Sequence, residues 1–108
     1  MKKNTKGLIY GGDEMYVILV YDIGQVDNNE GARVLRNVFK TCKKYLHHIQ
    51  NSVFEGEISK AKLEKLKYEL KEWIREERDS LIIFVENDNK WLKKEFLGIK
   101  EDETSNMI

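Results

Sequence analysis

The chain has 108 residues, enough for one domain with a modest core. Its 19 Lys and Arg balance its 19 Asp and Glu, so net charge predicts no polyanionic partner and any nucleic-acid site must arise from local segregation of charge. The single cysteine excludes an internal disulfide and is typical of a reducing cytoplasm, and no apolar run approaches the roughly 18 residues of a membrane-spanning helix.

The first two segments of the chain differ in character. Residues 1–14 are mostly polar and contain three glycines, so we expect a flexible N-terminal extension and a folded domain that begins at Met15. The run "MYVILVYDI" is β-branched and aromatic, which predicts a short strand. That strand ends beside one carboxylate, Asp22, and "GQVDNNEG" after it has the composition of a loop.

The segment "EGARVLRNVFKTCKKYL" predicts the first helix, with two stripes on its surface. The apolar stripe consists of Leu35, Val38, Phe39, Cys42, Tyr45 and Leu46. The basic stripe consists of Arg33, Arg36, Lys40 and Lys43. Such a row of cations is suited to following a phosphate backbone without reading sequence, but charged rows are also ordinary solvated faces, and both interpretations stay open.

Three further elements follow. "HHIQNSVFEGEI" predicts two short strands joined by a tight turn at Asn51-Ser52, with His47 and His48 on opposite faces and suited to packing or phosphate contact rather than to one metal. "SKAKLEKLKYELKEWIREERDS" predicts a second helix capped by Ser59, and "SLIIFVEND" predicts the last strand. "KWLKKEFLGI" is ambiguous, and residues 99–108 are a polar tail.

This order of elements predicts an α+β fold over residues 15–98, a ferredoxin-like βαββαβ domain in which two helices cover one face of a four-stranded antiparallel sheet. An exposed sheet face normally alternates polar and apolar residues, whereas "YVILVY" and "LIIFV" do not. The uncovered face is therefore expected to be apolar. A homodimer packed sheet against sheet is the simplest cover, and the C-terminal tail is the alternative.

Asp22 has two interpretations at this point. It is a turn aspartate satisfied by backbone N–H groups, or it is a metal ligand. One carboxylate is too few to hold Mg²⁺, which prefers octahedral oxygen coordination. A two-fold axis would bring two copies of Asp22 together, and the pair would be able to share a hydrated Mg²⁺ that activates a water.

These residues resemble the CRISPR-associated protein two family, the small subunit of the machinery that acquires new spacers. The resemblance is carried by "YVILVYDI", the helix with "RVLRNVFKTCKKYL", then "IQNSVFEGEI", "SKAKLEKLK" and "DSLIIFVEND", and it extends from about Met15 to Gly98. Its most specific parts are "YDI" at the end of the first strand and "QNSVFEG".

The resemblance implies a homodimer in which a C-terminal strand, here within residues 90–98, crosses to the partner's sheet. It implies that Asp22 of each protomer binds Mg²⁺ near the dimer axis as the catalytic ligand of an endonuclease for RNA or double-stranded DNA. It also implies an alternative, a non-catalytic adaptor that bridges dimers of the CRISPR integrase and holds the protospacer duplex.

The same resemblance, together with the basic stripe, predicts the nucleic-acid contacts, which are Tyr21, Arg33, Arg36, Lys40, Lys43, His48, Ser52 and Phe54. The chain departs from some family members at two positions, with Gly31 and His48 where those members carry arginines. An unrelated third hypothesis is a small regulatory domain that binds a metabolite, which would show no salt-dependent binding to DNA.

Overall fold

The computed structural model describes residues 14–87 and 95–98. The elements in chain order are β1 (Glu14–Asp22), α1 (Asn29–Tyr45), β2 (His47–Gln50), β3 (Val53–Ser59), α2 (Lys60–Lys71) and β4 (Ser80–Glu86). The four strands form one sheet in the order β2-β3-β1-β4, and every neighbouring pair is antiparallel. The predicted βαββαβ architecture is confirmed, and β1 begins one residue before the predicted boundary.

The core lies between the two helices and one face of the sheet. Its β1 members are Val17, Leu19 and Tyr21, and α2 contributes Leu63, Leu66 and Leu70. From α1, Val34, Val38 and Cys42 are buried, whereas Leu35 and Phe39 of the predicted apolar stripe are only partly buried. The buried face of α1 is therefore rotated towards Val34, which leaves Leu35 and Phe39 at the margin of the core.

Cys42 is a small core residue, as predicted. Its side chain is fully buried on the inner face of α1, and burial raises the pKa of its thiol to about 12. A thiol held in its neutral form by an apolar environment is a poor nucleophile, so Cys42 contributes packing rather than chemistry.

Close packing at the start of α1 requires a glycine. Asn28 caps the helix, accepting a hydrogen bond of 2.8 Å from the backbone N–H of Gly31. A Cβ atom on Gly31 would lie 1.9 Å from the carbonyl oxygen of Gln25. An arginine at this position would therefore require a different path for the loop between β1 and α1.

Helix α2 is shorter than predicted. Ser59 caps it as expected, accepting from the N–H of Lys62 at 3.2 Å, but the helix ends at Lys71 instead of continuing towards Ser80. Residues 72–79 form turns in which the side chain of Asp79 accepts a hydrogen bond from the backbone N–H of Arg75 at 2.8 Å. The prediction of a helix up to Ser80 is wrong, because Asp79 also accepts a hydrogen bond from the N–H of Gly24 at 2.9 Å, and this tertiary contact outweighs the helix propensity of the segment.

The second face of the sheet carries an apolar patch that no described residue covers, bordered by Glu55 beside Ile18 and by Glu86 beside Tyr16. The registers place Ile18 opposite Phe84 and Val20 opposite Ile82 on this face. Phe84 is 58% exposed and Ile82 is 53% exposed, and their strand, β4, forms one edge of the sheet. The predicted apolar open face is thus present in the protomer.

Several predictions fall on residues that the structure does not describe. The extension at residues 1–13, most of the segment predicted to cross to a partner and the tail at residues 99–108 lie outside the described ranges. Residues 95–98 are described and contain no strand. Among the described residues, no helix is long and apolar enough to cross a membrane.

Candidate functional site

Asp22 is the last residue of β1 and faces away from the helices. Side chains alternate along a strand, so Tyr21 is buried in the core while Asp22 is exposed on the open face, opposite Ser80 of β4. The carboxylate therefore stands at the end of the same apolar surface that carries Val20 and Ile82. This position follows directly from the strand register.

One protomer offers one carboxylate at this position. The described residues contain no group of three or more His, Cys, Asp or Glu side chains able to hold a metal ion. A single exposed carboxylate does not make a firm Mg²⁺ site, whereas two copies facing one another would supply two hard oxygen donors. The donor chemistry of Asp22 therefore fits Mg²⁺ only in a dimer that uses the open face.

The loop that follows Asp22 is held by a buried ion pair that sequence reasoning missed. The Asp79 carboxylate has no exposed surface and accepts hydrogen bonds from the N–H of Gly24 at 2.9 Å and from the Arg75 guanidinium at 3.0 Å. Arg75 in turn donates to the carbonyl oxygen of Gly24 at 2.8 Å. The pair at i and i+4, directly before a strand, was the signal available in the sequence.

These contacts set the charge state of Asp79. Hydrogen bonding to the Arg75 side chain is the main reason that the Asp79 pKa falls to about 2, with the N–H groups of Arg75 and Gly24 adding to the effect. Glu30 at the start of α1 extends the network, with oxygen-to-nitrogen distances of 3.6 Å to Arg75 and 3.2 Å to Arg78. Residues 75–79, which precede β4, thus hold the β1–α1 loop at Gly24 and the start of α1 at Glu30.

A groove of about 940 Å³ runs between α1 and the β2–β3 turn. Its floor includes Leu35 and Phe39, the two apolar side chains that the core leaves at its margin, together with Ala32 and Tyr21. The rim on the α1 side carries the cations Arg36, Lys40 and Lys43 together with Lys44, which pairs with Glu69, and the opposite rim is Asn51 and Ser52 of the turn. The structure therefore brings together Tyr21, Arg36, Lys40, Lys43 and Ser52 from the predicted set.

Arg33 of the basic stripe does not line the groove. Its guanidinium carbon lies 5.3 Å from the centroid of the Trp73 ring, on the side of α1 that faces the end of α2. Lys44, which the stripe did not include, is paired with Glu69 at 2.5 Å. Together with a hydrogen bond from Tyr45, this pair lowers the pKa of Glu69. Arg33 thus packs beside a second pocket that includes Trp73, and Lys40 lines both this pocket and the groove.

Two predicted contact residues lie in the interior. Phe54 is fully buried, and its ring packs against Tyr21, Phe39 and His48 at centroid distances of 4.9–6.1 Å. His48 is also buried, and its Nε2 lies 2.8 Å from the carbonyl oxygen of Asn51. Phe54 has no exposed surface and His48 has little, so in the protomer the two side chains support the groove and the turn rather than face a phosphate. His47 is exposed, on the opposite face from His48 as predicted.

The comparisons with known proteins agree on one family. A sequence model described as CRISPR associated protein Cas2 matches residues 15–94. The chain is 49% identical over 108 residues to the CRISPR-associated endoribonuclease Cas2 of Fusobacterium nucleatum, covering 100% of both chains. It is 41% identical to the CRISPR-associated endonuclease Cas2 of Halalkalibacterium halodurans, covering 80% of this chain and 88% of that one.

Solved structures give the same result. One described as the crystal structure of cas2 is 38% identical, with a TM-score of 0.68, and the match covers 82% of this chain and 91% of that one. The crystal structure of Streptococcus pyogenes Cas2 at pH 6.5 is 32% identical, with a TM-score of 0.68, and the match covers 77% of this chain and 99% of that one.

Proposed function

The chain belongs to the CRISPR associated protein Cas2 family, and from this premise we propose that it is a homodimeric, Mg²⁺-dependent endonuclease acting in spacer acquisition. The observation that carries the proposal is the exposed Asp22 carboxylate at the end of an uncovered apolar sheet face. Relatives named endoribonuclease and endonuclease support the activity, with phosphodiester hydrolysis in RNA or duplex DNA as the reaction.

The dimer is proposed from the apolar open face. Ile18, Val20, Ile82 and Phe84 lie side by side on it, and contiguous apolar surface of this kind marks an interface. A two-fold contact uses the same patch on both copies, and an axis that passes near the Asp22 end of this patch would bring the two ends of β1 together. Dimerisation would therefore cover the apolar face and pair the two Asp22 carboxylates.

Phe84→Glu is expected to convert the dimer into a monomer, because it places a carboxylate in the middle of the proposed interface. Tyr68→Glu is the matched control, since Tyr68 is 70% exposed on α2, away from the open face, and this variant should remain a dimer. Light scattering over a range of concentrations measures both. A dimeric Phe84→Glu protein would place the interface elsewhere.

In the proposed site each group has a distinct task. The two Asp22 carboxylates would hold Mg²⁺, which supplies Lewis-acid activation of a water and neutralises charge on the phosphate. Arg36 and Lys40 on the rim of the groove attract and orient the phosphate backbone through charge. The Asp79–Arg75 clamp keeps the loop after Asp22 in one conformation, which limits how far the carboxylate moves.

The test is cleavage of duplex DNA and of single-stranded RNA by the purified protein, with Mg²⁺ and with a chelator. Cleavage that requires Mg²⁺ supports the endonuclease. A protein that binds both substrates tightly without cutting either supports the second candidate, an adaptor that bridges integrase dimers and holds the protospacer duplex. The cations that line the groove favour this second candidate, since they need no metal to bind a duplex.

Arg36→Ala combined with Lys40→Ala is expected to weaken duplex binding equally for unrelated sequences. The negative slope of log affinity against log salt concentration should also become shallower by about 2. Loss of two phosphate contacts explains both effects. Lys60→Ala with Lys65→Ala, two exposed lysines of α2, is the control. Fluorescence anisotropy at several salt concentrations gives the slopes. Equal slopes for the two double variants would remove the groove rim from the duplex-binding surface.

Arg33→Ala, in contrast to the prediction from the basic stripe, is expected to have a smaller effect on the same salt slope. Its guanidinium is engaged with Trp73 and lies apart from the groove. The same anisotropy titration, with Arg36→Ala alone as the comparison, measures this difference. If Arg33→Ala makes the salt dependence of affinity as shallow as Arg36→Ala does, duplex binding extends across both surfaces of α1.

A further inference from the structure

The groove beside α1 has a composition that phosphate binding alone does not require. A surface that follows only the backbone needs cations, yet the floor here is apolar, formed by Leu35, Phe39, Ala32 and Tyr21. Leu35 and Phe39 are only partly buried, so they keep surface for a ligand. The cation of Lys43 lies 6.0 Å from the centroid of the Phe39 ring, which places charge directly against this floor.

The two rims differ in a way that matches the parts of a nucleotide. On one side, Arg36, Lys40 and Lys43 span about 10 Å of helix, the length of roughly three nucleotides in one strand. On the other side, Asn51 and Ser52 present an amide and a hydroxyl, which are able to bind the donor and acceptor edge of a base. An aromatic and apolar floor between them is the surface on which unpaired bases stack.

We infer that this groove holds an unpaired nucleotide of the bound nucleic acid, with its base on the Leu35–Phe39 floor and its phosphates on the cationic rim. The inference rests on the proposed nucleic-acid binding and deepens it, because it makes the preferred ligand a strand with unpaired bases, such as a duplex with a single-stranded extension. An acidic peptide would use the cations as well, but it would not need the hydrogen-bonding rim at the turn.

The experiment compares three ligands by fluorescence anisotropy. They are a blunt duplex, the same duplex with a short single-stranded extension, and that extension with abasic residues that keep every phosphate. The wild-type protein is expected to bind the extension with bases about tenfold more tightly than the abasic extension, since base stacking on aromatic side chains contributes about that factor per base.

Two variants alter the floor without changing charge. Leu35→Gln removes apolar surface, and Ala32→Gln fills the groove from a half-buried helical position outside the core cluster, so one remains informative if the other folds poorly. Both are expected to lose the preference for bases while keeping affinity for the blunt duplex. Tyr68→Gln, an exposed aromatic on α2, is the control and should keep the preference.

The outcomes separate this inference from the function on which it rests. Salt-dependent binding of the blunt duplex, with equal affinity for the two extensions, would overturn the base-binding groove and leave the proposed function standing. A preference for bases that persists in both floor variants would also overturn it and would place the base contact on another surface. No binding to any of the three ligands would overturn the inference and the proposed function together.

Discussion

Asp22→Ala is expected to lower metal-dependent cleavage by at least about 100-fold while the protein stays folded and dimeric. The loss follows because the variant removes both oxygen donors from the proposed shared Mg²⁺ site, and with them the positioned charge that stabilises the transition state. Stability should change little, since Asp22 is exposed at the end of β1 and takes no part in the core. Wild type and variant are compared on duplex DNA and single-stranded RNA, with Mg²⁺ and with chelator.

The control for this experiment is Asp27→Ala, an exposed acid in the loop between β1 and α1. This variant should cleave both substrates at the wild-type rate, because Asp27 lies outside the end of β1 that the proposed dimer would bring to its axis. Equal cleavage by the Asp22 variant would refute the metal-ligand role and return Asp22 to the status of a turn residue. A monomeric Asp22 variant would instead give the carboxylate a structural role in the interface.

Asp79→Ala is expected to destabilise the protein by about 3 kcal/mol, because it leaves the largely buried guanidinium of Arg75 without its partner. The same change removes the acceptor for the N–H groups of Gly24 and Arg75, so the β1–α1 loop loses its clamp. Urea unfolding at fixed protein concentration measures the loss. Glu76→Ala, at an exposed position three residues earlier, should cost little, and an equally small loss for Asp79→Ala would contradict the clamp.

The Asp79 carboxylate makes the free energy of unfolding depend on pH in the acidic range. The pKa of Asp79 in the folded protein is about 2, below its ordinary value of 3.8, so its stabilising contribution is complete above the ordinary value and is lost as pH falls towards 2. A difference of nearly two pKa units corresponds to about 2 kcal/mol. The difference in free energy of unfolding between wild type and Asp79→Asn should therefore be large at pH 7 and should shrink as pH falls from 3.8 towards 2. A gap that is constant with pH would rule out Asp79 as the titrating group.

Several parts of the structure followed from local sequence signals. Asn51-Ser52 between two short β-rich runs predicted the β2–β3 turn, and Asn51 adopts the positive φ of 43° that such a turn uses. Ser59 marked the start of α2, and the apolar run ending at Asp22 predicted β1. These signals succeed because hydrogen bonds and side-chain alternation within a few residues decide them.

Other predictions failed where distant residues decide the outcome. Helix propensity predicts that α2 continues to Ser80, whereas the helix ends at Lys71. Propensity cannot anticipate the contact between Asp79 and Gly24, because these positions are 55 residues apart. Spacing on a helix predicts one basic stripe, but it does not show that Trp73 of another segment lies against Arg33 while Arg36, Lys40 and Lys43 line the groove. Phe54 and His48 were assigned to ligand binding, although packing against Phe39 places both in the interior.

Local sequence properties account for the order of elements, the apolar character of both faces of β1 and the place of Asp22 at its end, since the periodicity of two in a strand and the capping of helices depend on a few neighbouring residues. Tertiary packing decided which helix face enters the core, and therefore that Leu35 and Phe39 line a groove beside Arg36, Lys40 and Lys43. It also decided that Asp79 and Arg75 hold the loop after Asp22. Both outcomes depend on how sheet and helices pack together, and packing is a property of the whole chain rather than of any one segment.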